Sequence, residues 1–92
     1  MFRLLVEIDV LGEIDSLPRK EAVNLKNRLK LLRTNPFPDG RDRKEIKGTS
    51  GSVYRLRSGS YRFFYIIDTE SKTVKVTEFL TAEQAHRKYG RL

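Results

Sequence analysis

The first residues of the chain alternate apolar and polar side chains with a period of two. The apolar positions of this alternation are Phe2, Leu4, Val6 and Ile8. A period of two predicts a β-strand, because successive strand side chains point to opposite faces. The following segment, from Val10 to Ser16, is ambiguous and fits one or two helical turns.

A firmer helix is predicted from Leu17-Pro18 to Asn35-Pro36. Proline suits the first helical position, where its missing N–H loses no bond, and it disfavours helical geometry in the residue before it. Between these limits apolar residues recur with the spacing of one buried helix face. They are Ala22, Leu25, Leu29 and Leu32. The basic residues lie mostly off this stripe, and we interpret them as a solvated face rather than an RNA-binding ridge.

The second half of the chain predicts three strands and a final helix. Residues 36–52 are expected to form a surface connection, with a short ordered piece around Ile46. Strands over 53–57, 61–67 and 73–79 are joined by short turns that suit an antiparallel meander. Thr81-Ala82-Glu83-Gln84 has the form of a capping box, which opens a helix from Ala82 to about Tyr89.

Together these elements predict an α+β fold with the order β-α(-α)-β-β-β-α. We expect two layers: an antiparallel sheet of about four strands, with the helices packed on one face. Residues 1–92 are expected to form a single domain, because a chain of this length has no room for a second core.

The middle hairpin is predicted to carry three arginines on one face. The opposite face is apolar and aromatic, and is expected to pack on the helices through Tyr54, Leu56, Tyr61, Phe63, Tyr65 and Ile67. Arg55, Arg57 and Arg62 share a face if the turn is a two-residue loop at 58–59 or a four-residue loop at 58–61. A three-residue loop would bury Arg62 in the core, at a cost of several kcal/mol.

Three like charges on one face are locally unfavourable, by a few tenths to about 1 kcal/mol for each facing pair. The nearest acids in these strands, Asp68 and Glu78, lie near strand ends, so we expect no neutralisation within the sheet. A phosphate between the arginines would reverse the sign of this energy, because guanidinium groups match phosphate oxygens geometrically. The alternative is that Arg55 and Arg57 splay into water.

The global charge also favours an anionic partner. The net charge is +7, and the excess is +2 in residues 1–46 and +5 in residues 47–92. Such a basic chain usually meets nucleic acid, an anionic membrane or an acidic protein, although solubility alone is the simpler explanation. The absence of cysteine excludes disulfides, thiolate metal sites and a cysteine nucleophile. No apolar run approaches the roughly 18 residues of a membrane span.

The order of these features resembles the RelE/ParE toxin superfamily of toxin–antitoxin systems. The resemblance lies in the strand-then-helix start and in the motifs Leu17-Pro18, Asn35-Pro36, Lys47-Gly48, Tyr54-Arg55-Leu56-Arg57, Gly59, Tyr61-Arg62, Tyr65, Ile67-Asp68 and His86-Arg87-Lys88-Tyr89.

The resemblance implies a small cytoplasmic toxin held by an acidic, partly disordered antitoxin, with no membrane partner and no homo-oligomer expected without the antitoxin. In the RelE branch, the toxin enters the ribosomal A site and cuts mRNA without a metal or other cofactor. In the ParE branch, the same scaffold inhibits DNA gyrase. A third possibility is an inactive member that binds RNA or the antitoxin.

Metal-free RNA cleavage needs cations on the phosphate together with a proton acceptor and a proton donor. By position, Arg62 matches the family's phosphate-stabilising arginine. Arg55 and Arg57 match positions where some members carry lysine, and because arginine stays protonated we expect electrostatic clamps there. His86 is the candidate acid or base, since it alone has an unperturbed pKa near neutrality.

The RNA-binding candidates are Lys47, Arg87, Lys88 and Tyr89. Tyr89 could stack on a base or bury its ring against the sheet, and Arg87 could contact phosphate or complement the helix C-terminus. RelE-type members usually carry a basic residue a few positions before the terminal tyrosine, whereas this chain has Glu83. That departure motivates the gyrase alternative.

Overall fold

The computed structural model describes residues 1–46 and 52–90. The elements in chain order are β1 (Arg3–Val6), α1 (Ile8–Asp15), α2 (Arg19–Leu29), α3 (Leu31–Thr34), β2 (Arg43–Ile46), β3 (Val53–Ser58), β4 (Tyr61–Asp68), β5 (Thr73–Thr81) and α4 (Ala82–Tyr89). The α+β class is confirmed, and so are the last helix and the last three strands. The single helix predicted between Leu17-Pro18 and Asn35-Pro36 is instead divided at Lys30 into α2 and α3. The ambiguous segment after β1 is a helix that buries Val10 and Ile14.

The sheet has five strands in the order β1-β5-β4-β3-β2. The prediction of about four antiparallel strands is therefore wrong on two points. β1 pairs with β5 in parallel, and β2 adds an antiparallel edge strand beside β3 where only an ordered piece was expected. Alternation identifies a strand but not its partner, and β2 is a short, charged edge strand whose composition resembles a loop.

The main core lies between α1, α2, α3 and one face of the sheet. All four apolar residues predicted for the helix stripe are buried, as are Leu56, Phe63 and Tyr65 from the predicted apolar face of the hairpin. Tyr54, Tyr61 and Ile67 pack against the same cluster. The division of the hairpin into two faces is thus confirmed.

The last helix packs on the opposite face of the sheet, so the expected two layers with all helices on one side are wrong. Ala85 of α4 joins Phe64 and Ile46 in a second, smaller core. Phe64 shares its face with the arginines, and this large ring is covered by α4. The predicted capping box is present: the hydroxyl of Thr81 accepts from the backbone N–H of Gln84 at 3.1 Å, and the Gln84 side chain accepts from the N–H of Thr81 at 2.9 Å.

The turn between β3 and β4 has the register of the four-residue alternative. Arg57 faces Arg62 and Ser58 faces Tyr61, with Gly59 and Ser60 at the tip. Gly59 has φ of 58°, a left-handed conformation that glycine adopts without steric cost. This register sends the three arginines to the face that α4 covers in part.

Candidate nucleic-acid interface

A pocket of about 350 Å³ lies between the β3–β4 hairpin and α4. Its lining consists of Arg55, Arg57, Arg62, Ala82, Ala85, His86 and Gly90. We call it the arginine pocket. It gathers the four side chains that the sequence nominated for chemistry: two arginines from β3, one from β4 and the histidine from the last turn of α4. Among the described residues, no carboxylate contributes to its lining.

Arg55 is buried, with 5% of its surface exposed. Its Nη2 donates to the carbonyl of Arg41 at 2.8 Å, while its buried Nε has no hydrogen-bond partner among the described residues. Burial lowers the pKa of Arg55, and the nearby charges of Arg62 and Arg57 lower it further. The alternative in which Arg55 splays into water is therefore wrong. A buried cation with an unsatisfied donor gains energy from an anion placed beside it.

Arg57 has a carboxylate partner that the strand pattern did not predict. Its Nε and Nη2 donate to Oδ1 of Asp42 at 3.2 and 3.1 Å, and Nη2 of Arg28 donates to the other carboxylate oxygen at 2.7 Å. These two arginines hold the pKa of Asp42 below its ordinary value. The expectation of no neutralising acid near the arginines is thus wrong for Arg57, although its side chain remains 44% exposed.

Arg62 is held close to the turn by backbone carbonyls. Its Nη1 donates to the carbonyls of Gly59 and Tyr61, both at 2.8 Å. Burial, followed by the charge of Arg57, lowers the pKa of Arg62. Arg62 forms no ion pair with a carboxylate of residues 1–46 or 52–90. The pocket therefore keeps excess positive charge, which one shared aspartate does not cancel.

The α4 residues nominated for RNA binding divide into two groups. Arg87 is 72% exposed and lies 3.9 Å from Glu83, outside the pocket. Tyr89 packs on Phe64, with 4.5 Å between ring centroids, and its hydroxyl donates to Glu78 at 2.6 Å. Burial and the Glu78 carboxylate raise the pKa of Tyr89.

Of the two alternatives for Tyr89, the structure therefore shows the ring against the sheet. Lys88 pairs with the same carboxylate of Glu78. Lys47 lies outside the described residues.

Three residues that shape the site, Arg28, Arg41 and Asp42, escaped the sequence analysis. Arg41 and Asp42 belong to the connection before β2, which has no periodicity, and Arg28 lies in α2 with no local pattern to mark its contact with Asp42. In the described part of the chain there is no group of three or more acidic or histidine side chains able to hold a metal ion. None of the helices described is long and apolar enough to cross a bilayer.

No protein-family model matches the chain. A curated protein of Methanocaldococcus jannaschii, named "Putative toxin RelE1", is 29% identical over 87 residues, which is 94% of this chain and 96% of that protein. The RelE–RelB complex from Pyrococcus horikoshii OT3 contains a chain of similar fold, with a TM-score of 0.74 at 24% identity over 87% of this chain and 93% of that one. The predicted resemblance to RelE-like toxins is thus confirmed: the chain is similar to a curated RelE toxin over nearly its whole length and shares the fold of a solved RelE chain.

A second RelE structure has the same fold. The intact RelBE toxin–antitoxin complex of E. coli contains a chain with a TM-score of 0.70 at 24% identity, covering 89% of this chain and 98% of that one. In the present RelE-like protein, the side chain of Glu83 is 81% exposed. Position 83 adds no charge to the arginine pocket, and α4 contributes His86 instead.

Proposed function

We propose that this RelE-like protein is the toxin of a toxin–antitoxin pair and cleaves mRNA on translating ribosomes without a metal ion or other cofactor. The observation that carries the proposal is the arginine pocket, in which a buried guanidinium lies beside two further arginines and a histidine. The Nε of this buried Arg55 has no hydrogen-bond partner in residues 1–46 or 52–90. This arrangement is complementary to a phosphate, whose charge increases as a nucleophile attacks it. Translating ribosomes place the reaction in the cytoplasm.

In the proposed reaction, the 2′-oxygen of one nucleotide bonds to the neighbouring phosphorus as the bond from phosphorus to the 5′-oxygen breaks. The products are a 2′,3′-cyclic phosphate and a 5′-hydroxyl. One proton leaves the 2′-hydroxyl and another joins the 5′-oxygen. His86 is suited to one of these transfers, since it lines the arginine pocket and an imidazole can both accept and donate a proton.

The three arginines stabilise the five-coordinate phosphate electrostatically. Arg62 and the unpaired part of Arg57 contact its oxygens, and Arg55 supplies charge from within the protein, where a low dielectric strengthens it. Arg87 and Lys88 are proposed as contacts to flanking phosphates, Lys88 in exchange for its ion pair with Glu78, and Lys47 is proposed as a further contact from the sequence alone. Tyr89 acts through α4, because its ring and hydroxyl hold that helix on the sheet.

The test is to map mRNA 5′ ends in a translating cell-free extract. The wild-type protein should create new ends only while ribosomes translate, and Arg62→Ala should lower the cleavage rate by about a hundredfold, as for loss of one donor to a developing oxyanion. Arg19→Ala is the matched control, because Arg19 is exposed on α2 and its substitution removes one positive charge outside the arginine pocket. Absence of cleavage by the wild type, or full cleavage by Arg62→Ala, would refute the proposal.

Gyrase inhibition is the second candidate function, favoured by the exposed Glu83 where a basic residue is usual in RelE-type members. A DNA-supercoiling assay separates the two functions. Inhibition of gyrase with intact mRNA would select this alternative. A chain that inhibits neither process and arrests no growth would be an inactive member.

We also propose an acidic antitoxin as partner, since two of the solved structures similar to this chain are complexes of RelE with RelB. An antitoxin strand or amphipathic helix would lay carboxylates over the arginine pocket. The partner should protect Arg57 and Arg62 from phenylglyoxal, whereas Arg19 should stay reactive. Equal modification of both pocket arginines in the free protein and the complex would contradict this assignment.

A further inference from the structure

A second group of cations surrounds two aromatic rings at the edge of the sheet formed by β1. A cavity of about 330 Å³ there is lined by Phe2, Arg3, Leu4, Lys30 and Arg33. Lys72, in the β4–β5 turn, reaches the same place, because its carbonyl accepts from the N–H of Arg3 at 2.8 Å and its ammonium lies 5.7 Å from the centroid of the Phe2 ring. We call the group of Arg3, Lys30, Arg33 and Lys72 the β1 surface.

An exposed aromatic ring adjoins the β1 surface. Phe37 packs edge-on against Phe2, with 5.7 Å between the ring centroids, and remains 42% exposed. A partly exposed ring among cations is the combination that binds single-stranded nucleic acid, in which bases stack on aromatics while the backbone follows positive charge.

The charge of the β1 surface is not neutralised within the described residues. All four of its cations are exposed, and none forms an ion pair with a carboxylate of residues 1–46 or 52–90. Lys26 of α2, four residues before Lys30, does pair with Asp15. The basic residues of this region are thus not uniformly compensated, and two of the uncompensated ones, Lys30 and Arg33, lie beside β1.

Lys72 has an unfavourable backbone conformation. Its φ is 53°, in the left-handed region where glycine or asparagine is favoured, and it is the one non-glycine residue with positive φ among those described. A long cationic side chain at such a position costs stability and adds no ion pair. The position therefore suggests a use for its charge outside the folded monomer.

We propose that the β1 surface binds the phosphodiester backbone of RNA, with Phe37 as a stacking platform for one base. The inference rests on the proposed function for the choice of RNA as the polyanion. Arg3 faces Thr73 at the start of β5, whereas Tyr61 of the hairpin faces Thr81 at its end. The β1 surface and the arginine pocket are therefore separated by roughly 25 Å along β5, at the usual rise of a strand. About seven nucleotides, at the 3.4 Å spacing of a helical strand, would span that distance.

The experiment measures RNA affinity as a function of salt for two triple variants of equal charge. One variant carries Arg3→Gln, Lys30→Gln and Arg33→Gln, and its matched control carries Arg19→Gln, Lys20→Gln and Lys44→Gln at exposed positions elsewhere. Loss of three phosphate contacts should lower the salt slope for a 20-nucleotide RNA by about 2 and its affinity by about a hundredfold at 0.1 M salt.

Lys72→Asn separates binding from folding. Asparagine tolerates the left-handed conformation, so the melting temperature should stay the same or rise while affinity for the 20-nucleotide RNA falls. Phe37→Ala should weaken the same RNA about tenfold, as expected for one lost stacking contact.

The proposal would be overturned if the β1-surface variant bound the RNA with the affinity and salt slope of the wild type. It would also be overturned if the control variant lost as much RNA affinity as the β1-surface variant. Loss of affinity for an acidic antitoxin peptide with unchanged RNA binding would also overturn it, because the surface would then bind protein. Failure of the proposed function would show differently, as absence of mRNA cleavage by the wild type whatever the β1 surface binds.

Discussion

Removing parts of Tyr89 should release α4 from the sheet in graded steps. The helix has eight residues, too few to be stable alone, so its order depends on docking. Tyr89 provides much of that docking through its ring on Phe64 and its hydroxyl on Glu78. We therefore compare Tyr89→Phe, which removes only the hydroxyl, with Tyr89→Ala, which removes both contacts.

The expected magnitudes follow from these contacts. A hydrogen bond to a charged acceptor contributes about 1.5–3 kcal/mol when buried, and since this site is partly exposed we expect about 1 kcal/mol for Tyr89→Phe. The aromatic pair contributes a further 0.5–1.5 kcal/mol or so, and the buried ring area adds to that, so Tyr89→Ala should cost about 3 kcal/mol. Local opening of α4 should then increase about fivefold and about 150-fold, respectively.

Native-state hydrogen exchange of the α4 amides measures this opening directly. Amides of β4 serve as the internal reference, and Tyr54→Phe, on the opposite face of the sheet, is the control variant. Because α4 carries His86 into the arginine pocket, the proposed mRNA cleavage should fall more for Tyr89→Ala than for Tyr89→Phe. Unchanged α4 exchange in Tyr89→Ala would refute the docking role and leave base stacking as the explanation for this tyrosine.

Two further predictions concern the core and the acid stability of the fold. Leu56→Ala should lower the free energy of unfolding by about 2–5 kcal/mol in urea titrations, since the side chain is fully buried; a loss below 1 kcal/mol would contradict the packing described. Hydrogen bonds from the backbone of Arg43 and Arg41 lower the pKa of Asp39 from 3.8 to about 2. Because the pKa of Asp39 is lower in the folded state, its carboxylate stabilises the fold above pH 4, and this stabilisation is lost as the pH falls towards 2. The difference in free energy of unfolding between the wild type and Asp39→Asn should therefore shrink as the pH falls from 4 towards 2. A difference that stays constant from pH 5 to pH 2 would refute the lowered pKa of Asp39.

Local patterns predicted most of the secondary structure because each relevant element carries its own period. The period of two in β3 and β4 fixed the two faces of the hairpin, and the stripe of α2 and α3 fixed their buried side. Such local patterns could not predict which strand pairs with which. The Arg-Lys-Glu-Ile sequence of β2 lacks an apolar alternation, and nothing local to β1 distinguishes a parallel partner from an antiparallel one.

For the candidate site, the sequence likewise predicted the local geometry and not the tertiary contacts. Strand parity brought Arg55, Arg57 and Arg62 to one face, but their surroundings depend on segments distant in sequence. Asp42 reaches Arg57 only because the connection after α3 returns as an edge strand. The capping box predicted where α4 begins, yet the sheet face on which it docks is a tertiary choice, and that choice buries Tyr89.

The parallel pairing of β1 with β5 has a consequence for how the protein is made. Arg3 cannot pair until Thr73, seventy residues later in the chain, has been synthesised. Pairing of segments so far apart in sequence is a slow step in folding. A nascent chain that stalls before residue 73 lacks the strand between β1 and β4, so its sheet stays open. A truncated product that ends before residue 73 should therefore lack both the strand that joins β1 to β4 and the core residues that this strand carries, Val74, Val76 and Phe79.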